Sequence, residues 1–376
     1  MADIMQREEI AIVGGGLGGC LTALMLAKNP QYHVTLIEAQ DTLLNGASAI
    51  ASRLHLGGEY PLHPDTAQNC LEGAVIWKLL MPNKAADPNQ ENIFTPTPPM
   101  KFLVAKKTQA SGEEYPDADE ALTVKKYFDS YEKVRASYKK MLGRISQANG
   151  WDESTTQKML FGSCKEGEFF RPLDAKEHAG YADIAGGFQS QELGLNVPKY
   201  LAMISAELEK QEKLGNVTIL KSHRVNKKGI EGEKGNFTLH CNNGKTIHAS
   251  QVIQAAWRDG PGITPQTGQG GDIRKVVTVY KRAMLRVDLP KGLKIPPAFV
   301  MLGENGGMFA PYNDRVAICY LPTPEAAYRK DVLLTNRNPS LPDDWDELSD
   351  KSRQEWTERY FRLLKNRFPF LKGTVD

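Results

Sequence analysis

Residues 10–38 read IAIVGGGLGGCLTALMLAKNPQYHVTLIE, and the fold turns on how the first part of that stretch is understood. From Ile10 to Ala27 no residue is charged. Such a run suits a membrane span, a secretion signal or the opening of a nucleotide-binding fold. A span needs about 20 mainly apolar residues in a continuous helix. Here every position from Gly14 to Gly19 except Leu17 is glycine, and each glycine costs a helix about 1 kcal/mol relative to alanine. A secretion signal begins with a positive segment, whereas Asp3, Arg7, Glu8 and Glu9 make the preceding residues net negative. The third reading remains.

That reading gives each glycine a task. Residues 10–13 form a short β-branched run suited to a buried parallel strand. Gly14, Gly16 and Gly19 fall in G-x-G-x-x-G register. The first permits the tight turn, the second lets the backbone approach a pyrophosphate, and the third lets helix pack on strand. The helix runs on through Leu21, Leu24, Met25 and Ala27 and breaks at Asn29-Pro30. A second strand over 34–37 ends in Glu38, whose carboxylate accepts from ribose hydroxyls while the helix N-terminus receives the phosphates. The candidate cofactor-binding residues are therefore Gly14, Gly15, Gly16, Leu17, Gly18, Gly19, Glu38 and Ala39. An acid at position 38 disfavours a 2′-phosphate, so NADP is set aside and FAD and NAD remain.

Bulk composition narrows the class. The 376 residues are 41% apolar, enough for a sizeable core in two domains or in one large one with an insertion. With 47 basic and 45 acidic residues, the net charge of +2 gives no reason to expect nucleic acid or an anionic membrane as partner. The expected partner is a small-molecule substrate. Cysteines 20, 70, 164, 241 and 319 contain no C-x-x-C pair, which points to reduced thiols in a cytoplasmic protein and to no metal site.

Along the chain, TPTPP at 95–99 is the clearest breakpoint, followed by a strand over 102–105. Val124, Phe128, Tyr131, Val134, Tyr138, Met141 and Ile145 recur at helical spacing, and the interleaved lysines read as that helix's solvated face. A helix over 199–214 precedes a strand over 217–220. A hairpin follows, 237–241 and 246–249 around Asn242-Asn243-Gly244. VIQAAW at 252–257 is a further buried strand, and strands over 276–287 and 308–320 suggest a second, antiparallel sheet. A last amphipathic helix is expected over 353–367. The expected fold is α/β. A Rossmann-like dinucleotide-binding domain with a parallel sheet is built discontinuously from 1–98, 186–265 and 345–376. An inserted α+β substrate domain on an antiparallel sheet comprises 99–185 and 266–344.

The segment NGASAIASRLHLGGEYPLH, residues 45–63, separates FAD from NAD. Its small residues let backbone lie along an extended ligand, and the Ser48 and Ser52 hydroxyls donate to phosphate or ribitol oxygens. A nicotinamide domain has no use for such a segment there, although a plain glycine/serine loop has the same composition. GGGLGG with Glu38, then NGASAIASRLHLGGEY, then VIQAAW, resembles the D-amino-acid-oxidase-like family of FAD-dependent oxidoreductases over residues 8 to about 371. GGFQSQELGLNVPKYL, residues 186–201, also matches a family pattern where the chain re-enters the FAD domain. The resemblance implies that the first motif holds the ADP half and that Ala47, Ser48, Ser52, Arg53 and Leu54 run beneath the flavin. It implies that Val225 contacts the adenine region and that Ala255, Ala256 and Trp257 close the later strand, where relatives usually have Ala-Gly. Family members usually continue beyond F-P-x-L, here Phe368 to Leu371, into a segment near the flavin ring. This chain ends at Asp376, which leads one to expect weakened FAD binding.

The same resemblance implies oxidation of a C–N or C–O bond in a small amine, amino acid or hydroxy acid, with hydride passing to flavin N5. It supplies orienting residues rather than a strong base. Arg53 would clamp a phosphate or carboxylate or serve only as packing. His55 would orient substrate or be a covalent flavin attachment point. Tyr60, His63, Arg282 and Tyr312 are the remaining candidate substrate contacts. Two other functions stay open on sequence alone: an NAD-dependent dehydrogenase, and a non-catalytic dinucleotide-binding protein.

Overall fold

Four consecutive buried residues, Ile10 to Val13, end the first strand, β1 (Glu8–Val13), because that strand is covered on both faces. The computed structural model describes residues 7–46, 48, 53–60, 63–80, 93, 100–105, 124–161, 171–179, 181, 184–190, 192, 194–256, 263, 274–282, 285–289, 299–302, 308–313, 315–320, 327–335 and scattered positions between 351 and 365. After β1 come α1 (Leu17–Leu26), β2 (Tyr32–Ile37), α2 (Pro64–Leu80), β3 (Lys101–Ala105), α3 (Val124–Asn149), α4 (Glu153–Phe161), β4 (Arg171–Pro172), α5 (Ala175–His178) and β5 (Ile184–Gln189). The chain continues through α6 (Val197–Lys213), β6 (Val217–Leu220), β7 (Val225–Glu233), β8 (Asn236–Cys241), β9 (Thr246–Ala249) and β10 (Gln251–Gln254). The last described strands are β11 (Arg274–Arg282), β12 (Leu285–Asp288), β13 (Phe299–Leu302), β14 (Met308–Pro311), β15 (Val316–Tyr320) and β16 (Ala327–Thr335).

The chain divides into two compact units, each drawn from three stretches of sequence. The first comprises Met1–Ala51, Pro198–Tyr280 and Arg329–Glu347. Its parallel sheet has the order β10-β1-β2-β6, which puts the first strand centrally and the glycine turn at its carboxyl end. The meander β7-β8-β9 covers this sheet by packing Val225, Ile230, Leu239 and Ile247 with Ala11, Val13 and Ile37. Strand alternation turns Ile10, Ile12 and Leu36 to the opposite face. The expected hairpin is present, with Gly244 at φ 82° as the turn requires.

The second unit, Ser52–Val197, Lys281–Tyr328 and Leu348–Asp376, holds a seven-stranded sheet of order β12-β15-β14-β13-β3-β5-β4. Only the β13–β3 pair in it is parallel. On this sheet α3 buries Tyr131, Val134, Tyr138, Met141 and Leu142 while Lys133, Lys139, Lys140 and Arg144 stay exposed, so its lysines are a solvated face.

The fold is thus the expected α/β fold with an added antiparallel unit. Residues 52–98 and 186–197, read from the sequence as part of the nucleotide unit, group with the antiparallel one. The reason is packing: Ala67, Leu71, Ala74 and Val75 on one face of α2 share a core with Phe102, Tyr131 and Phe188. The strand expected over 276–287 is two strands, β11 and β12, and the one over 308–320 is the antiparallel pair β14–β15. TPTPP and most of the expected last helix lie outside the described residues. Among the described residues, no helix is long and apolar enough to cross a membrane.

Candidate functional site

The glycine turn is fixed on both sides by its sheet. Gly14 donates to the Ile37 carbonyl at 2.8 Å, and Ala255 donates to the Val13 carbonyl at 2.8 Å. Gly14 has φ 114°, a left-handed conformation, and a Cβ there would lie 2.6 Å from the Ala255 backbone. At Gly19 a Cβ would lie 1.9 Å from the Gly14 carbonyl oxygen. Both positions are glycine because the protein's own backbone fills the space.

Gly16 differs. Its backbone is ordinary extended chain, φ −72° and ψ −178°, and among the described residues a Cβ there would meet only Ser48 Oγ, at 3.4 Å. Its open side faces a cavity of about 960 Å³. Nothing among the described residues requires glycine at this position, and the open backbone there would admit a ligand lying against it.

The cavity's polar groups are already oriented. Glu38 accepts from the Gly15 N–H at 2.7 Å through Oε2 and from the Gln40 N–H at 2.8 Å through Oε1. Each oxygen keeps a further lone pair, the capacity a ribose diol needs. Ser48 Oγ accepts from the Leu17 N–H at 2.7 Å in the first turn of α1. Its own proton is thereby left to donate, which extends the helix N-terminus by one hydroxyl toward an anion.

Of the candidate cofactor residues, Gly14, Gly16, Leu17, Gly18, Glu38, Ala39, Ser48, Val225, Ala255 and Ala256 line this cavity. Gly15 and Gly19 build the turn behind it. Ala47, Ser52 and Trp257 lie outside the described residues. The sequence reading missed Gln40, Asn45, His223, Arg224, Gln254 and Ile263, which also line the cavity. Their signal was position: they adjoin Glu38, Ser48, Val225 and the end of β10. The lining fits the adenosine diphosphate half of a dinucleotide in size, in open backbone and in donor placement.

The second unit carries the other candidates. Arg53 is buried, its guanidinium paired with Glu59, with Glu192 Oε2 3.8 Å away and Met100 Sδ accepting at 3.1 Å. This corrects the expectation that Arg53 clamps an external carboxylate or phosphate, because its charge is met internally. His55 stands beside it, Nδ1 3.6 Å from Glu59 Oε2, and burial together with the Arg53 charge holds its pKa well below the usual histidine value. The ring is therefore neutral at pH 7.

Leu54 packs on the core of this unit, as do the rings of Tyr60 and Tyr312. Tyr312 also lies under Arg286, at 5.6 Å. His63 is exposed at the start of α2. Arg282 ends β11, and its side chain is outside the described ones. Sequence reasoning missed Glu59 and Glu192. Glu192 is 1% exposed, and burial raises its carboxyl pKa, with Arg53 opposing.

The profile of one protein family, "DAO: FAD dependent oxidoreductase", matches residues 9–376. The chain belongs to that family. It is an FAD-dependent oxidoreductase by family, in place of the nicotinamide alternative. Among solved structures, glycine oxidase from Geobacillus kaustophilus is 16% identical with TM-score 0.59, the match covering 98% of this chain and 80% of that one. L-proline dehydrogenase from P. horikoshii is 12% identical with TM-score 0.61, covering 99% and 80%. L-alpha-glycerophosphate oxidase from Mycoplasma pneumoniae, with FAD bound, is 14% identical with TM-score 0.58, covering 99% and 82%. At these identities the likeness is one of fold. No curated protein matches the chain in sequence.

Proposed function

We propose that this oxidoreductase oxidises a C–N or C–O bond in a small amine, amino acid or hydroxy acid. The observation that carries the reading is the open face of Gly16 on a cavity of about 960 Å³, in a chain of a flavin family. Support for the substrate class comes from the structural relatives, whose names specify glycine, L-proline and glycerophosphate. FAD, when bound, would supply the two-electron acceptor for oxidation of the substrate bond.

The chain's own residues bind and orient. Gly16 and Gly18 would leave room for the diphosphate, the first turn of α1 and the Ser48 hydroxyl would donate to it, and Glu38 would take the ribose. Val225, Ala255 and Ala256 wall the adenine side. His55, kept neutral, suits a hydrogen bond to an amine or hydroxyl and avoids repelling a cation. Tyr60, Tyr312 and Arg282 are the proposed substrate contacts, with Arg282 now the candidate cation for a carboxylate. Ala47, Ser52 and Trp257 remain proposed cofactor neighbours. The free thiols at Cys20, Cys70, Cys241 and Cys319 suit a reducing, cytoplasmic setting.

The test is anaerobic reduction of the purified holoenzyme by a panel of amines, amino acids and 2-hydroxy acids. Bleaching of the flavin absorbance by one member is expected. A flavin that no member reduces, but dithionite does, would refute this substrate class.

A further inference from the structure

Glu192 stands in the turn after β5, far in sequence from the segment it touches. Its Oε1 accepts from the backbone N–H of Leu56 at 2.9 Å and of Gly58 at 3.0 Å. Its own backbone is held in turn: its N–H donates to Ser190 Oγ at 3.0 Å, and its carbonyl accepts from the Met100 N–H at 3.1 Å. Arg53 pairs with Gly194 as an isolated antiparallel bridge, so residues 53–58 run beside residues 192–194. Two further contacts pin the same segment: Tyr131 Oη donates to the Gly58 carbonyl at 2.6 Å, and Gly57, at φ 92°, lies against the Ala67 backbone.

We propose that Glu192 is a positioning residue, its Oε1 anchoring the backbone of residues 53–60 and thereby setting the geometry of His55 and Tyr60. The inference rests on the proposed function, which makes those two side chains substrate-facing. Its physical basis is the division of labour between the two carboxylate oxygens. Oε1 takes both backbone donors, whereas Oε2 has no hydrogen-bond partner among the described residues and lies 3.8 Å from an Arg53 that Glu59 already neutralises. A buried carboxylate so sparsely paired is a costly way to fill space, which an apolar side chain of like size would fill without the desolvation cost of the charge. What such a side chain cannot do is accept the two N–H groups. The acceptor, rather than the charge, is therefore the part that acts.

Two variants separate these roles. Glu192→Gln keeps an acceptor oxygen, and Glu192→Met keeps the volume without it. With the wild type's reducing substrate, Glu192→Gln is expected to stay within about threefold in kcat/KM, while Glu192→Met loses about tenfold or more, chiefly in KM, at full FAD content. Hydrogen exchange of the Leu56 and Gly58 amides, which needs no substrate, is expected to rise about tenfold in Glu192→Met and to stay unchanged in Glu192→Gln. Glu192→Met with wild-type exchange overturns the proposal, as does wild-type kcat/KM in that variant. Equal losses in both variants overturn it too, by pointing to charge. If no substrate reduces the wild type, the parent reading fails by itself and the exchange arm still decides the anchor.

Discussion

A methyl group on Gly19 would lie 1.9 Å from the Gly14 carbonyl oxygen, an overlap with backbone that no rotamer relieves. Gly19→Ala is therefore expected to unfold or strongly destabilise the nucleotide unit, seen as a large fall in melting temperature with or without added FAD. Ser48→Ala removes the acceptor of the Leu17 N–H and the proton it leaves free. It should weaken FAD binding about tenfold, the value of one good hydrogen bond, measured by flavin fluorescence quenching; an unchanged affinity would remove Ser48 from the diphosphate site. Burial pushes the Cys20 and Cys319 thiols up to about 12, Cys20 with help from Glu38. At pH 8 both should resist iodoacetamide in the native protein and react only after denaturation, and rapid native labelling of either by peptide mapping would contradict their placement.

At the level of elements, β4 and α5 are joined by Arg171, which donates to Glu177 at 2.6 and 2.8 Å, and by the capping box between Asp174 and Glu177. Hydrogen bonding from Arg171 is the main cause that lowers the Glu177 pKa from its ordinary 4.5 to about 2; burial opposes it, and the Asp174 N–H and the Arg171 and Lys101 charges lower it further. A depressed carboxylate contributes stability that is present above the unfolded value and is lost as pH falls through the folded one. The wild type should therefore lose stability between pH 4.5 and about 2, and Glu177→Gln should lose less over the same window, read from urea midpoints. Elements differ in how plainly the sequence shows them. The strand–turn–helix–strand–acid order of residues 8–38 is local and was readable at once. The apolar positions of α2, Ala67, Leu71, Ala74 and Val75, also have helical spacing, but an abundance of small and polar residues around them masks it. The break between β11 and β12 has no such local mark.

Across the whole molecule, the parts legible in sequence are those where a local motif fixes local geometry: the glycine turn, Glu38 and Ser48. The environment of Arg53 was not legible, because its pairing with Glu59 and the approach of Glu192, more than a hundred residues away, are set by packing and not by any spacing within the segment. Arg53 looked like an anion clamp, and three-dimensional packing shows that its anion is internal. The grouping of the chain into units depends on which core α2 joins. The central claim is that the cavity at the glycine turn receives the dinucleotide. Its most direct test is FAD titration of wild type and Gly16→Val, with circular dichroism of both. Valine is compatible with the extended backbone at Gly16 and would project into the cavity. The expected result is a normally folded variant whose FAD content is about a tenth of wild type or less, and a folded Gly16→Val that binds FAD as the wild type does would contradict the claim.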